Sequence, residues 1–200
     1  MREARDRDER VVVMGDSSGG NLALSLVTWA ATSPAYQAQA AGFPVAVLVI
    51  SPATDLRHAD PDIRRVARKD PVLTPSHIQS TARAWSQGDT TTTGSPQPGP
   101  EMKRRRSMST YTADDASVSP ALANLEPLAR WGIRVHGVTG TYDVLNPEAV
   151  AFREKLREAG VAGEWLEWDR QMHCFPLAFG YGLNESVKAV DYIVDILIRA

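Results

Sequence analysis

Apolar residues in this chain fall into short runs separated by longer stretches with helical spacing. Four runs have the length of β-strands: residues 11–14, 45–50, 133–138 and 165–168. The run at 45–50 shows no polar alternation, which is typical of a strand buried on both faces of a parallel sheet. Helical spacing follows three of the runs, at residues 21–31, 149–159 and 184–200. This alternation predicts an α/β fold with about four parallel strands and flanking helices.

The connection between the second and third predicted strands differs in composition from the rest. Residues 74–85 have helical spacing, but residues 87–116 are rich in Thr, Gly, Pro and Ser and contain a basic run at 103–106. Residues 87–116 offer too little apolar surface to offset the conformational entropy that the segment would lose on becoming ordered. We therefore predict a single domain over residues 1–200 with a disordered insertion at about 87–116. We interpret the basic run as a solvated loop rather than a nuclear-import signal or a phosphate-binding patch.

Charge, cysteine content and hydropathy exclude several classes of function. The chain has 22 Lys and Arg against 24 Asp and Glu, a net charge of −2, so it lacks the basic field that nucleic-acid binding needs. Cys174 is the single cysteine, which excludes an internal disulfide and a multi-thiolate metal site. No apolar run approaches the ~18 residues of a membrane span. We expect a soluble, cytoplasmic protein without a metal, a nucleic-acid partner or a membrane span.

A G-x-S-x-G sequence lies at residues 15–19, between the first predicted strand and the helix that follows. This is the context of a nucleophile elbow, in which a serine occupies a strained turn and flanking glycines let strand and helix approach. Ser17 has a glycine at both required positions, whereas Ser18 would place Asp16 at one of them and is the weaker alternative. A glycine-rich helix cap is the other interpretation. A phosphate-binding loop is disfavoured, because neither a Lys-Ser/Thr ending nor a third spaced glycine is present.

A serine nucleophile needs a histidine as base and an acid that orients the histidine. His173 lies in a loop just past the fourth predicted strand. The other histidines are His58, His77 and His136. Asp143 follows the third strand and Asp55 follows the second, and either aspartate could instead be a turn or helix cap. The order Ser17, Asp143, His173 is the one expected for α/β hydrolases.

Taken together, these motifs resemble the α/β-hydrolase fold-3 family, which includes hormone-sensitive-lipase-like esterases and acetyl hydrolases. The matching residues are 15–23, 51–52 with Asp55, 70–74, 119–120, 142–145 and 172–175. The resemblance implies Ser17 as nucleophile, Asp143 as the acid in place of Asp55, and His173 as general base. It also implies hydrolysis of small-molecule carboxylic esters of short-to-medium acyl chains through an acyl-enzyme, without a cofactor.

The chain departs from the family pattern in two ways. Ser18 stands where the family usually has alanine, and its backbone N–H is the evident donor to the oxyanion. The family's His-Gly-Gly motif, whose glycine N–H groups supply most of the oxyanion hole, is absent from the sequence. Losing one such donor typically costs ~10²–10³ in turnover.

From the missing motif we expect the C-terminal portion of an α/β-hydrolase domain that is N-terminally incomplete. Its first strand would then form an exposed edge, which permits self-association. Two alternatives remain open at this point. One is a catalytically silent fragment that acts as an interaction module, and the other is a peptidase or amidase that uses the same residues.

Overall fold

A computed structural model describes residues 9–34, 42–87 and 111–200. The strands of this described part form one parallel sheet in the order β1-β2-β3-β4. They are β1 (Val12–Asp16), β2 (Ala46–Ile50), β3 (Arg134–Gly140) and β4 (Trp165–Trp168). The predicted fold class is confirmed. Because the strands are parallel, their carboxyl ends all lie at the same edge of the sheet, and the segments that follow the strands and carry Ser17, Asp143 and His173 begin at this edge.

Helices follow each strand, and two shorter helices were not predicted. The helices are α1 (Ser17–Thr32), α2 (Asp62–Val66), α3 (Pro75–Gln87), α4 (Glu126–Arg130), α5 (Asn146–Glu158) and α6 (Asn184–Arg199), with 3₁₀ helices at Pro120–Leu122 and Phe175–Tyr181. Helix α1 begins at Ser17, four residues before the helical spacing at 21–31, because the glycine-rich segment is itself helical. Helices α2 and α4 have five residues each and are too short to show a period.

Apolar layers cover both faces of the sheet. Along β2, Val47 and Val49 point to the layer formed with α1, α4 and α5, whereas Leu48 and Ile50 point to the layer formed with α6. Burial on both faces explains why this strand lacks polar alternation. Phe152 of α5 is fully buried in the first of these layers.

A third apolar cluster lies beyond the carboxyl ends of the strands. It joins Ile63 of α2 and Ile78 and Ala82 of α3 to Val144 and Leu145 between β3 and α5. Helix α3 is thereby held over the carboxyl edge of the sheet. This placement encloses the space next to the end of β1.

The remaining fold predictions have mixed outcomes. Strand β1 lies at one edge of the sheet, as expected, and Met14 on it is 46% exposed. Residues 88–110 of the predicted disordered insertion lie outside the described residues, whereas residues 113–116 form turns. Within the described ranges, no helix has the length and apolar character that crossing a membrane requires.

Replacing Phe152 by alanine tests the packing of α5 on the sheet. The substitution removes a fully buried ring and leaves a cavity, so we expect the free energy of unfolding to fall by about 3–5 kcal/mol. Phe179→Ala is the matched control, since Phe179 is 54% exposed, and it should change the stability by less than about 0.5 kcal/mol. Urea denaturation followed by circular dichroism measures both. Equal losses in the two variants would contradict the packing described above.

Candidate active site

Ser17 occupies a sharp turn between β1 and α1. Its φ of 51° lies in the left-handed region, which costs free energy for a residue with a Cβ. At Gly15 a side chain would overlap the backbone of Gly19, so this position requires glycine. The space around the Cα of Gly19 is open, with nothing within 4 Å of an added Cβ. The turn therefore depends on the first glycine of the motif for space, and the second glycine contributes through the close approach of its backbone.

Three of the predicted site residues come together at the carboxyl edge of the sheet. The Nε2 atom of His173 lies 3.0 Å from the Oγ atom of Ser17. The Nδ1 atom of the same ring lies 3.0 and 3.1 Å from the two carboxylate oxygens of Asp143. Asp55, the competing acid, instead pairs with Arg57 through two hydrogen bonds of 2.9 and 2.6 Å. The structure therefore joins Ser17, His173 and Asp143 in one hydrogen-bonded chain.

The loop that carries Asp143 is fixed by the buried carboxylate of Asp70. One oxygen of Asp70 accepts hydrogen bonds from the backbone N–H groups of Val72 and Leu73. The other accepts from the N–H of Val144 at 2.9 Å. Asp143 itself accepts from the N–H of Leu145 at 2.9 Å. A turn near residue 70 thus sets the position of the acid in a loop more than seventy residues away in sequence.

The loop that carries His173 is fixed by contacts to two neighbouring loops. The Oγ of Ser51, at the end of β2, accepts from the backbone N–H of Cys174 at 3.0 Å. The N–H of Tyr142 donates to the carbonyl of Gln171 at 3.0 Å and so joins the histidine loop to the aspartate loop. The Sγ of Cys174 lies 3.4 Å from Nε2 of His173. These contacts hold the imidazole between its two partners.

The pKa of His173 reflects opposing effects. Burial alone lowers the pKa of the ring, since it disfavours the imidazolium. The hydrogen bond to Asp143 and the charge of that carboxylate raise it, with a further contribution from the thiol of Cys174. The contributions that raise it prevail, so the pKa of His173 lies above its ordinary value of 6.5.

The other three histidines take no part in this chain of hydrogen bonds. His136 is buried in β3, where burial lowers its pKa and its Nδ1 accepts from the N–H of Glu164 at 3.2 Å. His77 is exposed on α3. His58 forms a buried pair with Glu148, Nδ1 to Oε2, at 2.9 Å. This pair has no sequence signal, because its members are 90 residues apart and belong to no motif.

A cavity of about 250 Å³ opens beside Ser17. Its walls are mostly apolar and come from α1, from α3 and from the loops after β2 and β3. The lining residues are Ser17, Ser18, Asn21, Ala53, Leu56, His58, Leu73, His77, Ile78, Thr81, Ala82, Trp85 and Leu145. Ser18 lies in the first turn of α1, where backbone N–H groups have no acceptor within the helix. Next to the serine hydroxyl, the site thus offers a small apolar cavity and a backbone amide that has no acceptor within its own helix.

Within the described ranges, no cluster of three or more His, Cys, Asp or Glu side chains could hold a metal ion. The groups that the structure brings together at this edge are the serine hydroxyl, the imidazole, the carboxylate and, beside the imidazole, the thiol of Cys174.

Comparison with solved structures finds the same fold in several proteins. A hormone-sensitive lipase from a metagenome library is 17% identical, with a TM-score of 0.70, over 96% of this chain and 55% of that one. An esterase/lipase from an uncultured bacterium is 20% identical, with a TM-score of 0.71, over 99% and 56% of the two chains. EstE5, in a crystal soaked with ethyl alcohol, is 21% identical, with a TM-score of 0.72, over 98% and 56%.

The chain spans little more than half the length of these neighbours, and no curated protein matches it in sequence. The sequence does match the model of one protein family. The model for the alpha/beta hydrolase fold matches residues 2–177, which include the turn at Ser17 and the loops of Asp143 and His173. The resemblance stated from the motifs is confirmed, and the chain belongs to the α/β-hydrolase fold family.

Proposed function

We propose that this chain carries the catalytic residues of a serine hydrolase that cleaves carboxylic esters of short-to-medium acyl chains through an acyl-enzyme. The proposal rests on the distance of 3.0 Å between Ser17 Oγ and His173 Nε2. The other ring nitrogen, Nδ1, is hydrogen-bonded to the carboxylate of Asp143. A serine hydroxyl becomes a nucleophile when an imidazole can accept its proton.

In this proposal Ser17 attacks the ester carbonyl and transfers its proton to Nε2 of His173. Asp143 keeps the proton on Nδ1 and stabilises the imidazolium that forms. The imidazolium then donates its proton to the departing alcohol, which leaves the acyl group on Ser17. A water molecule activated by His173 attacks the acyl-enzyme, and the acid is released with the serine restored.

The backbone N–H of Ser18 is the proposed donor to the tetrahedral oxyanion. Its position in the first turn of α1 leaves it free of an intrahelical acceptor, and the positive end of the helix dipole favours the negative charge. In the family that the motifs resemble, a His-Gly-Gly segment supplies further donors, and the sequence contains none. We expect turnover by this chain to be lower by ~10²–10³ for each donor that is missing.

The decisive variant for the nucleophile is Ser17→Ala. We expect it to abolish both hydrolysis of p-nitrophenyl butyrate and covalent labelling by a fluorophosphonate. Ser18→Ala is the matched control, because it removes a hydroxyl one residue away but keeps the backbone N–H, and it should retain labelling. Labelling of Ser17→Ala would refute the assignment. Labelling of the unmodified chain without turnover would indicate an activated serine that lacks oxyanion donors, and the absence of both would favour the silent fragment.

The pH dependence of kcat/KM tests the base. Only the neutral imidazole can accept a proton, and the pKa of His173 is raised by Asp143, so activity should rise with pH at values above 6.5. Asp143→Asn removes the carboxylate charge, so it should move the rise in kcat/KM to lower pH and reduce the maximum value of kcat/KM. Asp55→Asn, in the loop after β2, should leave the pH of this rise unchanged. Rates of p-nitrophenyl acetate hydrolysis, corrected for spontaneous hydrolysis, give the profiles. A shift in the Asp55 variant alone would contradict the assignment of the acid.

Asp70 is proposed as a positioning residue that acts through Asp143. Asp70→Ala leaves the N–H of Val144 without its acceptor, which should lower the free energy of unfolding by about 1–3 kcal/mol. The released loop should also lower kcat by up to about 10²-fold with little change in KM, since the acid is no longer held in place. Asp70→Asn keeps one acceptor oxygen and should recover part of kcat. Asp62→Ala, on the exposed surface of α2, is the control. If both Asp70 variants are fully folded in the assay and have equal kcat values, this role is contradicted.

A further inference from the structure

His58 and Glu148 form a second buried histidine–carboxylate pair that the proposed mechanism does not use. Their side chains are 2% and 4% exposed, and Nδ1 lies 2.9 Å from Oε2. The φ of His58 is 46°, again in the left-handed region, so the backbone is strained where this ring is presented. Burying two polar side chains in this way costs free energy unless they are well paired, and the Oε1 atom of Glu148 has no partner in the described part of the chain. The pair therefore calls for a role.

The ring of His58 belongs to the wall of the cavity beside Ser17. Its Nδ1 atom is turned to Glu148, and Nε2, on the other side of the ring, makes no hydrogen bond to any described residue. The surrounding wall is mostly apolar, with Leu56, Ile78 and Leu145 among its members. A single unpaired ring nitrogen in such a wall is an arrangement that orients a polar atom of a bound ligand.

The proton count of the pair shows what Nε2 offers. Burial raises the pKa of Glu148, the hydrogen bond and charge of His58 lower it in part, and the charges of Asp55 and Asp60 raise it further. Both side chains are buried and Oε1 of Glu148 has no partner among the described residues, so a net charge on the pair would not be compensated and a pair without net charge is favoured. Such a pair consists of either imidazolium with carboxylate or neutral imidazole with carboxylic acid. In both cases the hydrogen between Nδ1 and Oε2 is shared and Nε2 carries a hydrogen, so Nε2 is a donor.

The charges around the pair determine whether the ligand atom that accepts from Nε2 of His58 is charged or neutral. Asp55 and Asp60 lie close enough to Glu148 to raise its pKa, and Arg57 is engaged by Asp55. A ligand carboxylate at Nε2 would meet this acidic surrounding without a free cation near it among the described residues of this wall. A neutral acceptor, such as a carbonyl oxygen, gains the hydrogen bond without that repulsion.

The position of the cavity indicates which part of an ester would enter it. The leaving alcohol must lie next to Nε2 of His173, which donates a proton to it. The cavity wall includes Ser17 and Ser18 but, in the part of the chain that the structure describes, not His173. The cavity therefore lies on the acyl side of the reacting carbon.

We propose that His58 is a specificity-determining residue whose Nε2–H binds a neutral carbonyl oxygen within the acyl chain of the substrate. The preferred substrates are then esters of oxo acids rather than of plain alkanoic acids. This inference rests on the proposed function and narrows its substrate class. Glu148 acts as a positioning residue that keeps the donor hydrogen on Nε2.

Two esters that differ only at one carbon test the proposal: p-nitrophenyl 4-oxopentanoate and p-nitrophenyl pentanoate. The readout is the ratio of their kcat/KM values, compared between the unmodified chain and a His58→Phe/Glu148→Leu double variant. Replacing both partners avoids leaving a buried carboxylate unpaired. We expect the ratio to fall by about 3-fold to 10-fold, the net effect of one hydrogen bond. The comparison cancels the intrinsic reactivity of the two esters. An equal ratio in both proteins overturns the proposal.

His77→Leu is the matched control, because His77 also borders the cavity but is exposed on α3. It should leave the ratio unchanged. An equal fall in the ratio for His77→Leu and for the double variant would contradict a specific role for His58.

A binding measurement separates this inference from the proposed function. In Ser17→Ala, the ¹⁵N resonance of His58 Nε2 should shift on addition of methyl 4-oxopentanoate and remain in place with methyl pentanoate. Such a shift supports the inference even if no ester is hydrolysed by the unmodified chain, in which case the proposed function alone has failed. Equal shifts, or none, with the two methyl esters overturn the inference, whether or not hydrolysis depends on Ser17.

Discussion

The left-handed backbone at Ser17 is the constraint on which the rest of the site depends. It turns the chain from β1 into α1 within one residue and raises the hydroxyl above the carboxyl edge of the sheet. The backbone contact between Gly15 and Gly19 makes this turn sterically accessible. The N–H of Ala53 donates to the carbonyl of Ser17, and the amide of Asn21 donates to the carbonyl of Ala53 at 2.8 Å. The strained residue is thus held by the loop of the neighbouring strand.

Local sequence patterns were sufficient to predict much of the fold and part of the site. The four strands were predictable because each is a dense apolar run, and the turn at Ser17 was predictable because its glycine spacing and its flanking strand and helix lie within one short segment. Contacts between distant residues were not predictable. The hydrogen bond from Val144 to Asp70 spans 74 residues and the pair of His58 with Glu148 spans 90. A helix as short as α2 is stabilised by packing against the rest of the protein. It is too short to show a helical period of apolar residues in the sequence.

The two histidine–carboxylate pairs use the same chemistry with different surroundings. The carboxylate of Asp143 also accepts a backbone hydrogen bond from Leu145, and its histidine faces a hydroxyl. The carboxylate of Glu148 has an oxygen without a partner among the described residues, and burial raises its pKa. Backbone hydrogen bonds stabilise a carboxylate as an anion, which suits it to stabilise an imidazolium. A carboxylate lacking such bonds is suited to retain a proton within its pair.

The order of the strands in the sheet follows their order in the chain, and this has a consequence for synthesis. Synthesis of β1 and Ser17 precedes that of β2, β3 and β4, and each of these three strands can be added to the edge left by the one before. The imidazole that contacts Ser17 is 156 residues further along. A nascent chain therefore carries a strained serine without its imidazole partner while these 156 residues are synthesised. Because His173 follows β4, its hydrogen bond with Ser17 can form only once the segment after β4 has reached the carboxyl edge of the sheet. Formation of this hydrogen bond therefore reports that β4 has docked.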